Sequence, residues 1–407
     1  MKIGVGYYNH QDAFLSGQNA ARNAVERGAI ERPDFVFAFC AGRLDHKEFF
    51  RGLRSVVGEH APIIGGSAIG IITAEELAYQ GYPSGVAVLQ SDSLRYQVVT
   101  ANGLNKDEYA TGKKLAGKIV EGLHEKLFLI FYDSIKIPPT ETTPPVMNAS
   151  PPLIKGIESV MKGKAPIVGA GVIGEYQFSP TMQFCGDHVA DQSVVGVLLS
   201  GKFEPYFRII HGCTPKDGIY HTITKMEGPV LYELDGKPIV QVIDEIYGNA
   251  SWQAQIPVKR LSLGINHGEK YGQFREADYV NRLIAGVLPG KDGVVLFEPD
   301  LQEGMEVQFM LRDAETIIAS ARTNAQELLA KIRSDGRKPA FGLYIDCAGR
   351  TADMSDTLTE EAAEVQNTFR QDNVPLLGFF SGVEIAPFRG QSRGLDWTGV
   401  LLILAEG

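Results

Sequence analysis

Three stretches of the chain run from aliphatic residues straight into a glycine-rich corner. They are "APIIGGSAIGI" at Ala61–Ile71, "APIVGAGVIGE" at Ala165–Glu175 and "VPLLGFFSGVEI" at Val374–Ile385. A second apolar run follows each after a variable gap: "SGVAVLQ" from Ser84, "VVGVLLS" from Val194 and "TGVLLIL" from Thr398. Upstream lie "PDFVFAFCAGR", "KLFLIFYDS" and "PAFGLYIDCAGR", the first and third ending in the same Cys-Ala-Gly-Arg. Such near-continuous apolar runs predict strands buried on both faces. Helix-like segments precede them at Ser16–Gly28, Tyr109–Glu125 and Thr316–Lys331. In the second, Leu115, Ile119 and Leu123 fall on one stripe at helical spacing. One more strand opens each set: "KIGVGYY", "RYQVVTA" and "VQFMLRD". Near the third corner, Thr357 and Glu360 predict a capping box, with Leu358, Ala362, Val365 and Phe369 lining the helix behind it.

Strands alternating with helices predict an α/β fold. The order is that of three related α/β units, each strand-helix-strand-helix-strand-strand, at about 1–91, 93–200 and 305–407. Between units two and three, residues 201–304 read as an inserted β-rich subdomain. It opens with a hairpin turning at Asp235-Gly236 and a following helix. The proline-rich loop Pro138–Pro152 interrupts the second unit as an extended segment.

Bulk properties narrow the partners. The 407 residues carry a net charge of −10, so neither nucleic acid nor an anionic membrane surface is expected to attract the chain. No run of 18 apolar residues occurs, and "MKIGVGYYNH" lacks signal-peptide character. The four cysteines Cys40, Cys185, Cys213 and Cys347 stand far apart with no CxxC pair, which fits a reducing cytoplasm better than a disulfide or zinc scaffold. The eight histidines show no paired metal spacing, so no metal is expected. "GKKLAGKI" at Gly112–Ile119 has phosphate-loop spacing, but carries isoleucine where a magnesium-binding hydroxyl is required and lies inside a helix. No cofactor is expected.

The corner "GGSAIG" and the strand after it resemble the FIST N domain. The order "ELDGKPIVQVIDE", "LSLGI", "FREADYV", the Cys-x-Gly-Arg of Cys347–Arg350 and "GFFSGVEIAP" resembles the FIST C domain. The resemblance divides the chain at 1–200 (N-like, two α/β repeats) and 201–407 (C-like, insertion plus third repeat). It implies a sensory module that binds a small ligand, such as an amino acid, and passes the signal to a separate protein. One departure is Ile71, which stands where the other two corners carry Glu175 and Glu384.

The candidate ligand residues follow from the corners and from these motifs. Ser67 with Gly66, and Ser381, sit in glycine corners, where hydroxyls and loop N–H groups can hold an anion. Glu175 and Glu384 can receive an ammonium. Arg43 and Arg350 end buried strands, where an arginine can grip a carboxylate with two hydrogen bonds or simply tie loops together. Cys347 precedes Arg350 and is expected to be packed rather than reactive. Arg275 and Asp278 read as a charged pair that can supply both signs to a zwitterion. The leading reading is a cytoplasmic small-ligand sensor without catalytic residues. The alternatives are a hydrolase-type enzyme with a central site between three units, and a partner-binding scaffold contacting through Pro138–Pro152.

Overall fold

The computed structural model describes residues 1–120, 122, 125–140 and 145–407. Leu123 of the expected helical stripe and residues 141–144 of the proline-rich loop lie outside the described residues.

Among the described residues the strands gather into three six-stranded sheets of one and the same order, a nine-stranded sheet and the two-stranded pair Ile135–Ile137 and Val146–Met147. The first sheet runs Lys2–Asn9, Pro83–Gln90, Phe35–Ala41, Ile63–Ala68, then the hairpin Gln183–Cys185 and His188–Ala190. The second runs Arg95–Asn102, Ser193–Ser200, Leu127–Asp133, Ile167–Val172, then Val383–Phe388 and Gln391–Leu395. The third runs Glu204–Ile210, Gly399–Glu406, Lys338–Cys347, Leu376–Ser381, then Ile71–Thr73 and Leu77–Ala78. In each sheet the third and fourth strands are parallel and the other pairs antiparallel. The last two strands of every sheet come from a distant part of the chain. The hairpin after each glycine corner crosses to a neighbouring sheet, a closed exchange among the three.

The apolar runs explain this arrangement. Phe35–Ala41, Ile63–Ala68, Leu127–Asp133, Ile167–Val172 and Leu376–Ser381 are buried at every position. Their side chains alternate between two cores. Phe37 and Phe39, Leu129 and Phe131, Leu343 and Ile345 face a shared inner core. Val36 and Ala38, Phe128 and Ile130, and Tyr344 pack outward. Helices Ala13–Arg27 and His46–Val57 cover the first sheet, Glu108–Ala116 and Ser150–Met161 the second, Ala314–Ser334 and Ala362–Gln371 the third. Gly17 and Gly52 let the first pair touch backbone to backbone; a Cβ on Gly52 would meet the Phe14 carbonyl.

Three expectations change. Glu306–Arg312 does not open the third sheet; it lies within the nine-stranded one, and Glu204–Ile210 takes the edge position. The two segments, "EPYFRII" and "EVQFMLR", have the same length and similar alternation, so pattern alone cannot choose between them. The strands from Cys213–Pro215 to Glu306–Arg312 pair within the nine-stranded sheet and lie in sequence between Glu204–Ile210 and the helix Ala314–Ser334. The capping box does not form: the helix starts at Ala362, Leu358 is exposed, and the Glu360 carboxylate instead accepts from Ala352 N–H and the Tyr79 hydroxyl. The expected helix over Tyr109–Glu125 is the shorter Glu108–Ala116. The Asp235-Gly236 turn is present, both residues having positive φ (53° and 73°) as a type I′ turn requires.

Candidate functional site

The glycine corners meet at the seams between sheets. Gly42 N–H donates to the Gly174 carbonyl at 3.1 Å, and Gly382 N–H to the Gly171 carbonyl at 2.8 Å. Ile69 and Phe380 N–H groups bond the Phe380 and Gly70 carbonyls at 3.3 and 3.2 Å. The corners do not open onto a central hollow. The space between the sheets is filled by aromatic rings: Phe39 stacks on Phe379 with centroids 3.8 Å apart, and Phe131 meets both edge-on at 5.2 and 5.8 Å. Two cavities, of about 690 and 380 Å³, lie elsewhere, and no candidate ligand residue lines either.

At the seam between the first and second sheets, Ser67 is fully buried. Its Oγ lies 2.8 Å from His46 Nε2 and accepts from Met182 N–H at 2.9 Å. Burial pulls the His46 pKa down to about 4, so the ring is neutral and shares one hydrogen bond with the serine hydroxyl. Gly66 lies against the Met182 carbonyl, 2.5 Å from where its Cβ would be. Above them Glu175 faces Arg43 at 3.7 Å.

The seam between the second and third sheets is chemically richer. Arg350 is fully buried. It donates to the His211 carbonyl at 2.9 Å and the Trp397 carbonyl at 2.7 Å, pairs with the Glu361 carboxylate, and turns Nε toward Asp346 at 3.3 Å. It is therefore a loop-tying arginine, with both terminal nitrogens committed to protein groups and Nε buried without a hydrogen bond. Tyr344, beside Asp346, spends its hydroxyl on Glu361 at 2.8 Å. Ser381 Oγ sits 2.8 Å from Glu384 Oε1 and 3.1 Å from the Asp346 carbonyl. Burial pushes Asp346 well above the usual carboxylate range, and Glu361 nearby adds to the rise. Glu384 is likewise pushed up by burial, against the Ser381 hydrogen bond and with Asp346 and Asp396 adding. Both Asp346 carboxyl oxygens, Glu384 Oε2, the Tyr132 hydroxyl and Ser134 Oγ are buried without a hydrogen-bond partner. Burial, with Glu298 and Glu384 nearby, raises the Tyr132 pKa.

Four of the ten candidates thus come together: Cys347, Arg350, Ser381 and Glu384. Burial raises the Cys347 thiol, with Glu384 adding, so it packs as an inert apolar group against Leu283 and Trp397. Ser67, Gly66 and Glu175 belong to the other seam. Arg275 and Asp278 do pair, at 3.6 Å, but Arg275 is 72% exposed and Asp278 also accepts from Arg389 at 2.8 Å. Among the described residues no hydrogen bond or ion pair joins these five to the buried cluster. Sequence reasoning missed Asp346, Tyr132, Ser134 and Glu361. The signal was there for the first three: "YIDC" and "FYDS" are polar interruptions at the ends of otherwise apolar strands. Glu361 had no such signal, because it looks like any helix-start glutamate. Among the described residues no three His, Cys, Asp or Glu side chains are arranged to hold a metal ion.

Comparison with known proteins agrees with the motif order. The FIST N domain family model matches residues 34–237 and the FIST C domain model residues 240–387. An uncharacterized protein of Methanocaldococcus jannaschii is 24% identical over 299 residues, covering 67% of this chain and 53% of that protein. The chain thus spans about half the length of that relative. Among solved structures, cyanuric acid hydrolase from A. caulinodans aligns over 100% of this chain and 99% of its own at 10% identity, with a TM-score of 0.31. PurLQS from Thermotoga maritima aligns over 100% and 72% at 10% identity, with a TM-score of 0.24. At those scores neither likeness carries an argument about this chain.

Proposed function

Because the chain belongs to the FIST family, whose domains are small-ligand sensory domains, we propose that it is a cytoplasmic sensor whose ligand site is the seam between the second and third sheets. The observation that carries this reading is the set of buried, unpartnered polar atoms on Asp346, Glu384, Tyr132 and Ser134. A buried polar group without a partner costs about 1–3 kcal/mol, and a ligand or water that satisfies it recovers that cost. Amino acids and related amines are the class to screen first, the ammonium resting on Glu384. A separate signalling protein reads the bound state. We also read the shared strand order of the three sheets as one α/β unit used three times, with the β-rich region inserted into the third. No helix among the described residues is long and apolar enough to cross a membrane.

The test is thermal unfolding of the intact protein against a panel of amino acids, amines and other polar metabolites. A ligand at about 100 times its Kd adds about 2.7 kcal/mol. The reading predicts a shift that Ser381→Ala or Glu384→Gln weakens. A panel without any such shift refutes it.

One observation favours the hydrolase alternative: Ser67 lies 2.8 Å from a neutral histidine. Such a pair can pass a proton from a nucleophilic hydroxyl to the imidazole. Covalent labelling of Ser67 by a serine-directed fluorophosphonate, lost in His46→Ala, would support it. No labelling would leave the pair as a buried tie between the helix at His46 and the strand at Ser67.

A further inference from the structure

Resting on the seam as the ligand site, we infer that its ligand is a small organic cation, a primary amine head group without a carboxylate, rather than a zwitterionic amino acid. Asp346 and Glu361 set two carboxyl groups against one guanidinium, that of Arg350, and Glu384 lies near enough to feel both Asp346 and Arg350. Every terminal nitrogen of that guanidinium is bonded within the protein, to Glu361, His211 and Trp397. Its Nε makes no hydrogen bond but faces Asp346 Oδ1 at 3.3 Å; the other unpartnered atoms of these four side chains are both oxygens of Asp346 and Oε2 of Glu384. The two unpartnered hydroxyls, on Tyr132 and Ser134, can accept as well as donate.

The hydroxyls are what turn an acidic cluster into a site. Tyr132 and Ser134 are both fully buried, and they come from the second sheet, whereas Asp346 comes from the third. They converge on the corners that carry Ser381 and Glu384. A methyl group on Gly171 would stand 2.8 Å from the Tyr132 hydroxyl and in contact with Ser134 Oγ; one on Gly382 would stand 2.9 Å from Ser134 Oγ. A head group among these atoms meets oxygens from two sheets, and the cation beside them, Arg350, already faces Asp346 and Glu361. An ammonium, with three N–H donors, fits that environment. A ligand carboxylate would stand against the Asp346 and Glu384 carboxyl groups.

The test compares pairs that differ only by the carboxylate. Thermal unfolding of the whole protein is followed with methylammonium, ethanolamine, glycine and acetate, at matched ionic strength set with potassium chloride. Methylammonium and ethanolamine should raise the midpoint, and Glu384→Gln should abolish the rise. Glycine should bind at least tenfold more weakly than ethanolamine, a difference of about 1.4 kcal/mol. Should Glu384→Gln fail to fold, Asp346→Asn must remove the rise in its place. Glycine or acetate acting as strongly as ethanolamine through Glu384 overturns the inference and leaves the seam as the site. An amine effect that survives both variants overturns it too. If no probe and no amino acid shifts the midpoint, the inference and the seam reading fall together.

Discussion

Replacing Arg350 with methionine is the sharpest probe of how the seam is held. The guanidinium is fully buried and serves two carbonyls and two carboxylates, so its loss leaves Asp346 and Glu361 as uncompensated buried acids. Breaking a buried ion pair from one side costs about 3–5 kcal/mol. The orphaned His211 and Trp397 carbonyls each risk about 1–3 kcal/mol more, though groups in one network do not add fully. About 5 kcal/mol is a fair total. With about 2.1 cal/mol/K of unfolding entropy per residue, a cooperative chain of 407 residues would lose roughly 6 °C in Tm. The assay is urea unfolding followed by circular dichroism, repeated from pH 5 to pH 8. In the variant, Asp346 keeps a proton in the fold that it loses in the unfolded chain. Stability held that way is present at low pH and lost as pH rises through the raised folded value. The deficit should therefore narrow toward pH 5. Adding Glu361→Gln should restore a good part of it by removing the second orphaned charge. A deficit under about 1 kcal/mol, or one that does not change with pH, would refute the account of Arg350 as a buried charge anchor.

Other consequences are as direct. Cutting the chain between residues 200 and 201 strips the hairpin 383–395 from the second sheet and leaves 71–78 without the third, so each half should melt without a cooperative transition and the two should reassociate when co-expressed; a monomeric, cooperatively folding 1–200 fragment by size-exclusion chromatography and calorimetry would contradict this. Glu298 is raised from 4.5 to about 8 by burial, with Asp396 adding, so the stability it contributes is full below about 4.5 and is lost as pH rises through about 8. That loss should approach about 1.4 kcal/mol per pH unit and flatten in Glu298→Gln, as read from unfolding midpoints between pH 5 and 9. Phe39→Ala, which removes a ring stacked on Phe379 at the centre of the three sheets, should cost about 3–5 kcal/mol in chemical denaturation, whereas Phe39→Leu should cost under half of that.

Much of the architecture was legible because burial writes itself into strands. The all-buried runs at Phe35, Leu127 and Ile167 announced themselves as unbroken aliphatic and aromatic stretches. Partner choice was not legible. Ile71–Thr73 is three buried residues whose sequence says nothing of whether it pairs with its own sheet or, as it does, with Leu377–Phe379 in the third. The edge strand Glu204–Ile210 hid for a related reason: its half-buried pattern resembles that of the inserted strands beside it. At the site, Ser381 and Glu384 could be read because they sit in a corner motif, while Asp346 and Tyr132 looked like strand residues. Only folding reveals that their polar atoms are buried without partners.

Strand register shows why the repeated residues were a poor guide to chemistry. Gly65, Gly169 and Gly378 pair with Ala38, Ile130 and Tyr344 and so occupy matching places in the three sheets. Two residues on, the matching positions hold Ser67, Gly171 and Phe380; Ser381 lies one further along, so the two corner serines do not correspond. Across the pairing strand the matching trio is Cys40, Tyr132 and Asp346. A thiol, a phenol and a carboxylate in one structural position cannot perform the same task. The first sheet keeps an apolar lining there, with Cys40 raised by burial alone. The second and third present polar atoms to each other across one seam. A site of this kind grows where the sheets differ, which is why the search for function belongs at the Gly171–Gly382 seam and not on the axis the three sheets share.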